Sequence, residues 1–333
     1  MSQFFSLPRE RLATLPTPLE FLPRLTRKLG GPQIYIKRDD LTGLAFGGNK
    51  TRKLEYLVAD AKQKGATHFI TEGGVQSNHV RQSAAAARLV GMQAVLVLNS
   101  PDDEPAMQGN YLIDDLLGAQ CYTVPTGPDR KPKMAELAEQ ITASGGVPYI
   151  TVSGGSDAVG SQGYVGMIQE MNTQLTALSI NPKCVYVANG SAGTQAGMVV
   201  GQQLFGGAYS IKGYCVVPGG AEEITQDTLA LANQCAAHIG EDSVDASKIL
   251  CDDTQFGEAY GFPTPAALDA IKLLADTEAI LLDPVYSSKA FAGMVADIKA
   301  GLYKEDDTIV FIHTGGTPAL FAKVDLLKPI LSR

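Results

Sequence analysis

Lys50 is the residue whose type and surroundings most strongly suggest chemistry. It lies in the run Gly47-Gly48-Asn49-Lys50-Thr51-Arg52-Lys53-Leu54-Glu55. Apolar residues after it recur at the spacing of one helical face, which predicts a helix that begins near Lys50 and stops at Gly65. A lysine near a helix N-terminus is expected to have a lowered pKa, because the helix dipole disfavours a second positive charge there. Such an amine could form a Schiff base with pyridoxal phosphate or bind a phosphate group, whereas a lone lysine is most often a solvated surface residue.

A second loop of small residues could bind a phosphate. The run Gly190-Ser191-Ala192-Gly193-Thr194 follows the apolar segment 185–188 and precedes a helical pattern of small residues. It offers backbone N–H groups, two hydroxyls and a helix N-terminus to one anion. The sequence therefore predicts a phosphate cup, although a tight turn that needs small residues would look the same.

A third polar loop, Gly73-Gly74-Val75-Gln76-Ser77-Asn78-His79, also opens a predicted helix. Its amides suit a carboxylate, and the hydroxyl of Ser77 could serve either a ligand or the helix as its N-cap. His79 has no His, Asp or Glu partner at a ligand spacing, so we expect no metal site.

Two tyrosines lie beside turn residues that could hold a ring at the edge of a cleft. Tyr260 precedes Gly261-Phe262-Pro263, and Tyr286 follows Asp283-Pro284-Val285. The alternative is ordinary packing with the hydroxyl satisfied by a neighbour. Ser287 and Thr314 would be ordinary turn hydroxyls on the same reasoning.

The elements that must position these loops follow a repeated order of strand, loop and helix. Short apolar, β-branched runs end in Gly or Asn and give way to alanine-rich helical patterns, which is typical of a parallel α/β protein. Loops at the carboxyl ends of parallel strands meet at one edge of a sheet, where such folds bind ligands. The strands expected from these runs are 33–37, 69–71, 94–98, 149–152, 185–188 and 309–312.

Composition limits the classes of function. The 333 residues suffice for two domains, and a formal net charge of -8 argues against a nucleic-acid surface, so small molecules are the expected partners. No stretch reaches the roughly 18 apolar residues of a membrane span, and the first residues lack a signal-peptide pattern, which favours the cytoplasm. Five cysteines are spread without a CxxC pair, so we expect neither a disulfide nor a structural zinc.

A rival interpretation of Lys50 is a P-loop. The run Gly43-Leu44-Ala45-Phe46-Gly47-Gly48-Asn49-Lys50-Thr51 nearly matches the P-loop pattern, and 280–283 could supply an acidic strand end for magnesium. Asn49 separates the last glycine from Lys50, which shifts the amine out of register with the phosphates. A nucleotide phosphotransferase therefore remains an alternative from another class, as does a small-molecule binding protein without catalysis.

Taken together, the motifs around Lys50, Ser77, Gly190 and Tyr286 resemble one family. It contains the 1-aminocyclopropane-1-carboxylate deaminases and D-cysteine desulfhydrases, which are pyridoxal-phosphate enzymes of the tryptophan synthase β type (fold type II). The resemblance covers about residues 16–321. It implies two open, twisted, mostly parallel sheets flanked by helices. It also implies a large cofactor-binding domain (residues 1–53 and 157–333), a small inserted domain (54–156) and a homodimer.

The resemblance implies roles for individual residues. Lys50 corresponds to the Schiff-base lysine, and Asn78 to the partner of the cofactor's ring hydroxyl. Ser77, with the amides of Asn78 and His79, is in the position that holds the substrate carboxylate. The active-site tyrosines correspond to Tyr260 and Tyr286, and the phosphate cup to Gly190, Ser191, Ala192, Gly193 and Thr194.

Two positions bear on the substrate. The deaminases carry Glu after the second tyrosine and Leu before the final Gly-Gly, whereas this sequence has Ser287 and Thr314 there, as hydroxyl residues stand in the desulfhydrases. The residue after Tyr286 is expected to face the pyridine nitrogen, and a hydroxyl leaves the ring less protonated than a carboxylate would. The resemblance therefore implies α,β-elimination on a D-amino acid, D-cysteine above all. An aminocyclopropane carboxylate deaminase and an L-cysteate sulfo-lyase remain alternatives.

Overall fold

The computed structural model describes residues 2–331 and contains two β-sheets. The strands are β1 Leu19–Phe21, β2 Gln33–Lys37, β3 His68–Gly74, β4 Gln93–Asn99, β5 Gln120–Val124, β6 Pro148–Ile150, β7 Cys184–Asn189, β8 Ser210–Cys215, β9 Leu250–Asp252 and β10 Thr308–Ile312. The helices are α1 Pro23–Leu29, α2 Lys50–Gln63, α3 Asn78–Leu89, α4 Gly109–Leu116, α5 Arg130–Ala143, α6 Gln162–Leu178, α7 Gly193–Phe205, α8 Gly220–His238, α9 Pro265–Glu278, α10 Ser287–Lys299, α11 Pro318–Ala322 and α12 Val324–Leu331.

The larger sheet has the order β1-β2-β10-β7-β8-β9, and the smaller one β5-β4-β3-β6. Every pair of neighbouring strands is parallel except β1 with β2. The central strands β7 and β10 are buried along their whole length, as continuous apolar runs in a parallel sheet require. The predicted α/β class with two mostly parallel sheets is confirmed.

Helices cover both faces of each sheet. In the larger sheet, α6, α7 and α8 pack on one face, and α9 and α10 pack on the other. In the smaller sheet, α2 and α3 cover one face and α5 the other. The smaller sheet lies within the predicted inserted domain 54–156. The boundaries of the two domains stay a prediction, and residues 1, 332 and 333 lie outside the described part of the chain.

Some predicted elements differ from the observed ones. The strand predicted over 149–152 is shorter than expected, because β6 spans Pro148–Ile150. Segment 280–283 is not a strand. Both oxygens of Asp283 accept hydrogen bonds from groups at the start of α10, so its carboxylate does not resemble a magnesium ligand at a strand end. The P-loop alternative loses this support.

Within residues 2–331 no helix is long and apolar enough to cross a membrane, and no three His, Cys, Asp or Glu side chains are grouped to hold a metal. All five cysteines are free thiols.

A buried ion network fixes the start of α2. Arg52 donates through Nε and Nη2 to the two oxygens of Asp39, at 2.9 and 2.8 Å, and through Nη1 and Nη2 to Glu170, at 3.0 and 2.8 Å. Lys37 also donates to Glu170, and the hydroxyl of Tyr164 donates to Asp39 at 2.6 Å. The network joins α2 to β2 and α6. It therefore ties the helix that begins at Lys50 to the larger sheet.

We expect Arg52→Met to lower the free energy of unfolding by about 3–5 kcal/mol, because it leaves the buried carboxylate of Asp39 without its main partner and removes one of the two cations from the partly buried Glu170. Urea unfolding of the variant and the unaltered protein measures the difference. Lys328→Ala is the control, because its ion pair with Asp325 is exposed and should be worth no more than about 1 kcal/mol. A loss of less than about 1 kcal/mol for Arg52→Met would show that the network does not anchor α2.

Candidate active site

A cavity of about 400 Å³ lies where the carboxyl ends of β3, β7 and β10 face α2. Its volume falls in the range of small-molecule sites, which is roughly 300–1,000 Å³. The structure brings most of the predicted site residues to its wall, including Lys50 and both tyrosines. The predicted residues on the wall are Lys50, Ser77, Asn78, His79, Gly190, Ser191, Ala192, Thr194, Tyr260, Tyr286 and Thr314.

Lys50 is the first residue of α2, and its Nζ donates a hydrogen bond to the Asn49 side-chain oxygen at 3.1 Å. Burial lowers the pKa of Lys50 to about 8, and the negative charge of Asp283 opposes this shift. The pKa of Lys50 is lowered, as the sequence predicted, but the main cause is desolvation and not the helix dipole. At pH 7 about a tenth of such amines are neutral, compared with less than about a thousandth for an ordinary lysine. Lys50 is therefore prepared to attack an aldehyde.

The predicted phosphate cup lies between β7 and α7. Asn189 ends β7 and accepts a hydrogen bond from the Ala192 amide at 3.1 Å, which holds Ala192 at a positive φ of 64°. The side-chain amide of Asn49 donates to the Thr194 hydroxyl at 2.9 Å, so the cup is joined to the start of α2. First-turn amides of a helix lack partners within it. In α7 the Gly193 amide donates to the Ser191 carbonyl at 2.7 Å, so the amides of Thr194 and Gln195 are the ones available to an anion.

Lys53 adds a buried positive charge behind the cup, which the sequence interpretation missed. Its Nζ donates to the Gly154 carbonyl at 3.2 Å and to the Ser156 hydroxyl at 2.9 Å, and Ser156 in turn bonds Ser191 at 2.7 Å. Burial, together with repulsion from Lys50, holds the pKa of Lys53 well below its usual value. Gly193 starts α7 beside it, and a Cβ there would lie 2.8 Å from Nζ. Only glycine permits this close approach.

These features fit a phosphate monoester. A dianion in the cup would have helix amides, two hydroxyls and a nearby ammonium as partners, and it would offset the unfavourable burial of Lys53. The donors suit the phosphate of pyridoxal phosphate, and Lys50 suits its aldehyde. Lys53 lies three residues after Lys50, so the spacing of one helical turn was the signal available in the sequence.

The third loop presents its backbone to the cavity. Ser77 is the N-cap of α3, where its hydroxyl oxygen accepts from the Val80 amide at 3.3 Å and keeps its proton for a ligand. The His79 ring is hydrogen-bonded to the Thr71 hydroxyl at 2.8 Å. This bond occupies a ring nitrogen that a metal would need. Burial keeps the pKa of His79 well below its usual value, so the ring is neutral. Its contribution to a carboxylate site would be its amide.

Asn78 is oriented by two residues behind it. Its side-chain oxygen accepts from Arg81 at 3.1 Å and from the Asn110 side-chain amide at 3.0 Å. Arg81 also donates to the Gly47 carbonyl at 2.7 Å, which joins this group to the loop before α2. The side-chain nitrogen of Asn78 has no partner in this group, so it can donate to a ring oxygen in the cavity. Asn110 lies on α4, and no local pattern in the sequence marks it.

The two tyrosines meet at the mouth of the cavity. Their hydroxyls are hydrogen-bonded to each other, and their ring centroids are 6.1 Å apart. Burial raises the pKa of Tyr286 well above its usual value, with the nearby Tyr260 as a further cause, so Tyr286 is a neutral phenol. The Tyr286 amide donates to Asp283 at 2.9 Å, which fixes the turn that presents the ring.

Ser287 does not lie on the cavity wall as described by residues 2–331. It is fully buried, and its hydroxyl donates to the Asp283 carboxylate at 2.6 Å while accepting from the Asp283 amide at 2.9 Å. The hydroxyl proton of Ser287 is therefore held by Asp283, and the expectation that this residue faces a ring nitrogen stays a prediction. Gly193 likewise lies behind the wall, whereas Thr314 lies on it.

Comparisons with known proteins agree with this geometry. Residues 11–315 match the family model described as pyridoxal-phosphate dependent enzyme. The chain is 43% identical over 319 residues to a D-cysteine desulfhydrase of Salmonella newport (strain SL254), which covers 95% of this chain and 96% of the relative. D-cysteine desulfhydrase of Salmonella choleraesuis (strain SC-B67) is 43% identical over 322 residues, with the same coverage.

Solved structures show the same architecture. A crystal structure of an ACC deaminase homologue is 35% identical, with a TM-score of 0.90 and 99% of both chains covered. The processed form of threonine deaminase isoform 2 from Solanum lycopersicum has a TM-score of 0.71 at 19% identity, with 99% of this chain and 86% of that chain covered, and so shows the fold alone. The expected fold type II architecture is confirmed.

Lys53→Gln is expected to weaken the binding of pyridoxal phosphate by about 10- to 100-fold, since a charged hydrogen bond is worth about 1.5–3 kcal/mol. The affinity for pyridoxal, which has no phosphate, should change little. Titration of the apoprotein followed by visible absorbance measures both. Lys64→Gln, at an exposed lysine just after the same helix, is the matched control. Equal losses for the two ligands would exclude a role for Lys53 at the phosphate.

Proposed function

The chain belongs to the family of pyridoxal-phosphate dependent enzymes, and we propose that it eliminates the β-substituent of a D-amino acid, with D-cysteine as its substrate. The products are pyruvate, ammonia and hydrogen sulfide. The observation that carries the proposal is one cavity that joins the buried amine of Lys50 to a phosphate cup backed by Lys53. The desulfhydrase relatives named above, at 43% identity, support the same reaction.

When bound, pyridoxal phosphate supplies an aldehyde that condenses with amines and a ring that withdraws electrons from the attached amino acid. Lys50 would be the amine that holds the cofactor and the base that takes the Cα proton of the substrate. Positioned general bases contribute about a hundred- to ten-thousandfold in rate. The lowered pKa of Lys50 favours this work, because the amine must be neutral to accept a proton.

Ser77 and the amides of Asn78 and His79 would bind the substrate carboxylate at the start of α3. The amide nitrogen of Asn78, oriented by Arg81 and Asn110, would donate to the ring oxygen of the cofactor. Tyr260 and Tyr286 share a hydrogen bond near the mouth, where a phenol can donate to the departing sulfur. Gly190 to Thr194 would hold the phosphate, and Thr314 would lie beside the ring.

Elimination is favoured over ring opening by the groups around the ring. A carboxylate facing the ring nitrogen would keep it protonated, at about 1.4 kcal/mol for each pKa unit. No Asp or Glu lies on the wall of the cavity among residues 2–331. The proton of Ser287 is held by Asp283, so Thr314 is the hydroxyl on the wall that can meet the ring. A weaker electron sink suffices for a substrate with an acidic Cα–H and a good leaving group.

We also propose that the chain acts in the cytoplasm as a homodimer. The family resemblance supports the dimer. The composition of the chain supports the cytoplasmic location.

D-cysteine should give pyruvate and sulfide in equal amounts, and Lys50→Ala should reduce the rate by at least about a hundredfold, because holding the cofactor and moving the proton both need the amine. Keto acid, sulfide and sulfite are measured for D-cysteine, L-cysteine, L-cysteate and 1-aminocyclopropane-1-carboxylate. Lys62→Ala, at an exposed lysine on the same helix, is the control.

Two results would refute the proposal. One is a protein that takes up no pyridoxal phosphate. The other is keto acid from the cyclopropane at a rate equal to that from D-cysteine, which would mean that the ring is protonated in spite of its surroundings.

A further inference from the structure

Lys289 is a fully buried lysine to which the proposed reaction gives no task. It is the third residue of α10, three residues after Tyr286, and it is not one of the residues that line the cavity. Burial lowers the pKa of Lys289, and the negative charge of Asp283 opposes this shift. Within residues 2–331 its amine forms no ion pair. A buried amine without a carboxylate is less favourable than methionine or leucine at the same position, so Lys289 needs a reason beyond packing.

The amine of Lys289 holds the segment that carries Tyr260. This segment, residues 255–262, is part of the connection between β9 and α9, and we call it the Tyr260 loop. Nζ of Lys289 donates to the Phe256 carbonyl at 2.5 Å and, more weakly, to the Ala259 carbonyl at 3.5 Å. It also lies 5.1 Å from the centre of the Phe256 ring. Lys289 therefore fastens the turn that precedes Tyr260 to the start of α10.

Few other contacts hold the Tyr260 loop. Tyr260 is 47% exposed and Phe262 is 55% exposed, so these side chains are not packed into a core. In the described part of the chain, the Tyr260 loop is hydrogen-bonded to other elements only through Lys289 and through the hydroxyl of Tyr260, which meets that of Tyr286. The position of the Tyr260 hydroxyl therefore depends on Lys289.

Both anchors of the loop belong to one helical turn. Tyr286 and Lys289 are three residues apart at the start of α10, and residues at this spacing are neighbours on a helix surface. Asp283 accepts from the Tyr286 amide at 2.9 Å and fixes the same turn. One rigid turn thus sets the place of the Tyr286 ring and, through Lys289, the place of the Tyr260 ring.

We propose that Lys289 is a positioning residue for the elimination, because it holds the Tyr260 hydroxyl against that of Tyr286 where the β-substituent departs. This inference rests on the proposed function. When the Cβ–S bond breaks, its electron pair stays on sulfur, and a hydrogen bond from a phenol stabilises the anion that leaves. Lys289 acts on this step through Tyr260 and has no contact with the substrate.

The test compares two leaving groups on the holoenzyme of Lys289→Met, which keeps the apolar stem and removes the donor. With D-cysteine, kcat should fall at least about tenfold, because the sulfur anion leaves poorly without a hydrogen bond. With 3-chloro-D-alanine, kcat should change by less than about twofold, because chloride is too weak a base to need one. KM should change little for either substrate. Lys299→Met, at the exposed last residue of α10, is the matched control and should leave both rates unchanged.

A second variant, Tyr260→Phe, connects the effect to the phenol. It should lower the rate with D-cysteine at least as much as Lys289→Met does. Adding Lys289→Met to it should cause no further loss, because both changes remove the same interaction. Equal losses for D-cysteine and 3-chloro-D-alanine, or losses that multiply in the double variant, would overturn the proposal, since Lys289 would then only stabilise the fold. An unchanged rate with D-cysteine in Lys289→Met would overturn it as well.

A measurement without substrate separates this inference from the proposed function. In hydrogen–deuterium exchange of the holoenzyme, the amides of the Tyr260 loop should exchange at least about tenfold faster in Lys289→Met, because the loop opens more easily without its charged hydrogen bond. The amides of α9 are the internal reference. Unchanged exchange of the loop would overturn the role of Lys289, even if D-cysteine is eliminated. Faster exchange in an enzyme that does not act on D-cysteine would instead refute the proposed substrate and support the hold of Lys289 on the loop.

Discussion

The feature on which the structure depends is the burial of three cations, Lys50, Arg52 and Lys53, in the first turn of one helix. A helix N-terminus disfavours positive charge, and burial adds the cost of removing each charge from water. The three side chains leave the helix in different directions. Arg52 meets the carboxylates of Asp39, just after β2, and Glu170, on α6. Lys53 meets the back of the phosphate cup, and Lys50 enters the cavity.

Within this one turn, Arg52 stabilises the fold, whereas Lys50 and Lys53 serve the cavity. Arg52 has a complete set of partners in the protein, so it can anchor α2 without a ligand. Lys50 and Lys53 have only neutral partners, which leaves their charge to be lost or to be matched by a bound anion. The protein has an excess of acidic residues, yet none of those described lies on the cavity wall. This distribution of charge favours an anionic ligand in the cavity.

Local patterns in the sequence predicted much of this. The apolar runs that became β7 and β10, and the loops at their ends, identified the fold and the cup, because parallel strands bring such loops to one edge. Asn110 could not be found this way, since only the packing of α4 brings it to the site. Ser287 was placed in the cavity by resemblance, whereas Asp283, four residues earlier, binds its hydroxyl. The spacing of four residues between Asp283 and Ser287 is the sequence signal for this hydrogen bond.

The role of Lys50 is tested most sharply by identifying the lysine that carries the cofactor. Borohydride reduction of the holoenzyme would fix the bond, and peptide mass spectrometry would locate it. We expect to find the reduced cofactor on Lys50 alone, with Lys53 unmodified although both amines are buried and have lowered pKa values. Modification of Lys53, or of a lysine outside this turn, would contradict it.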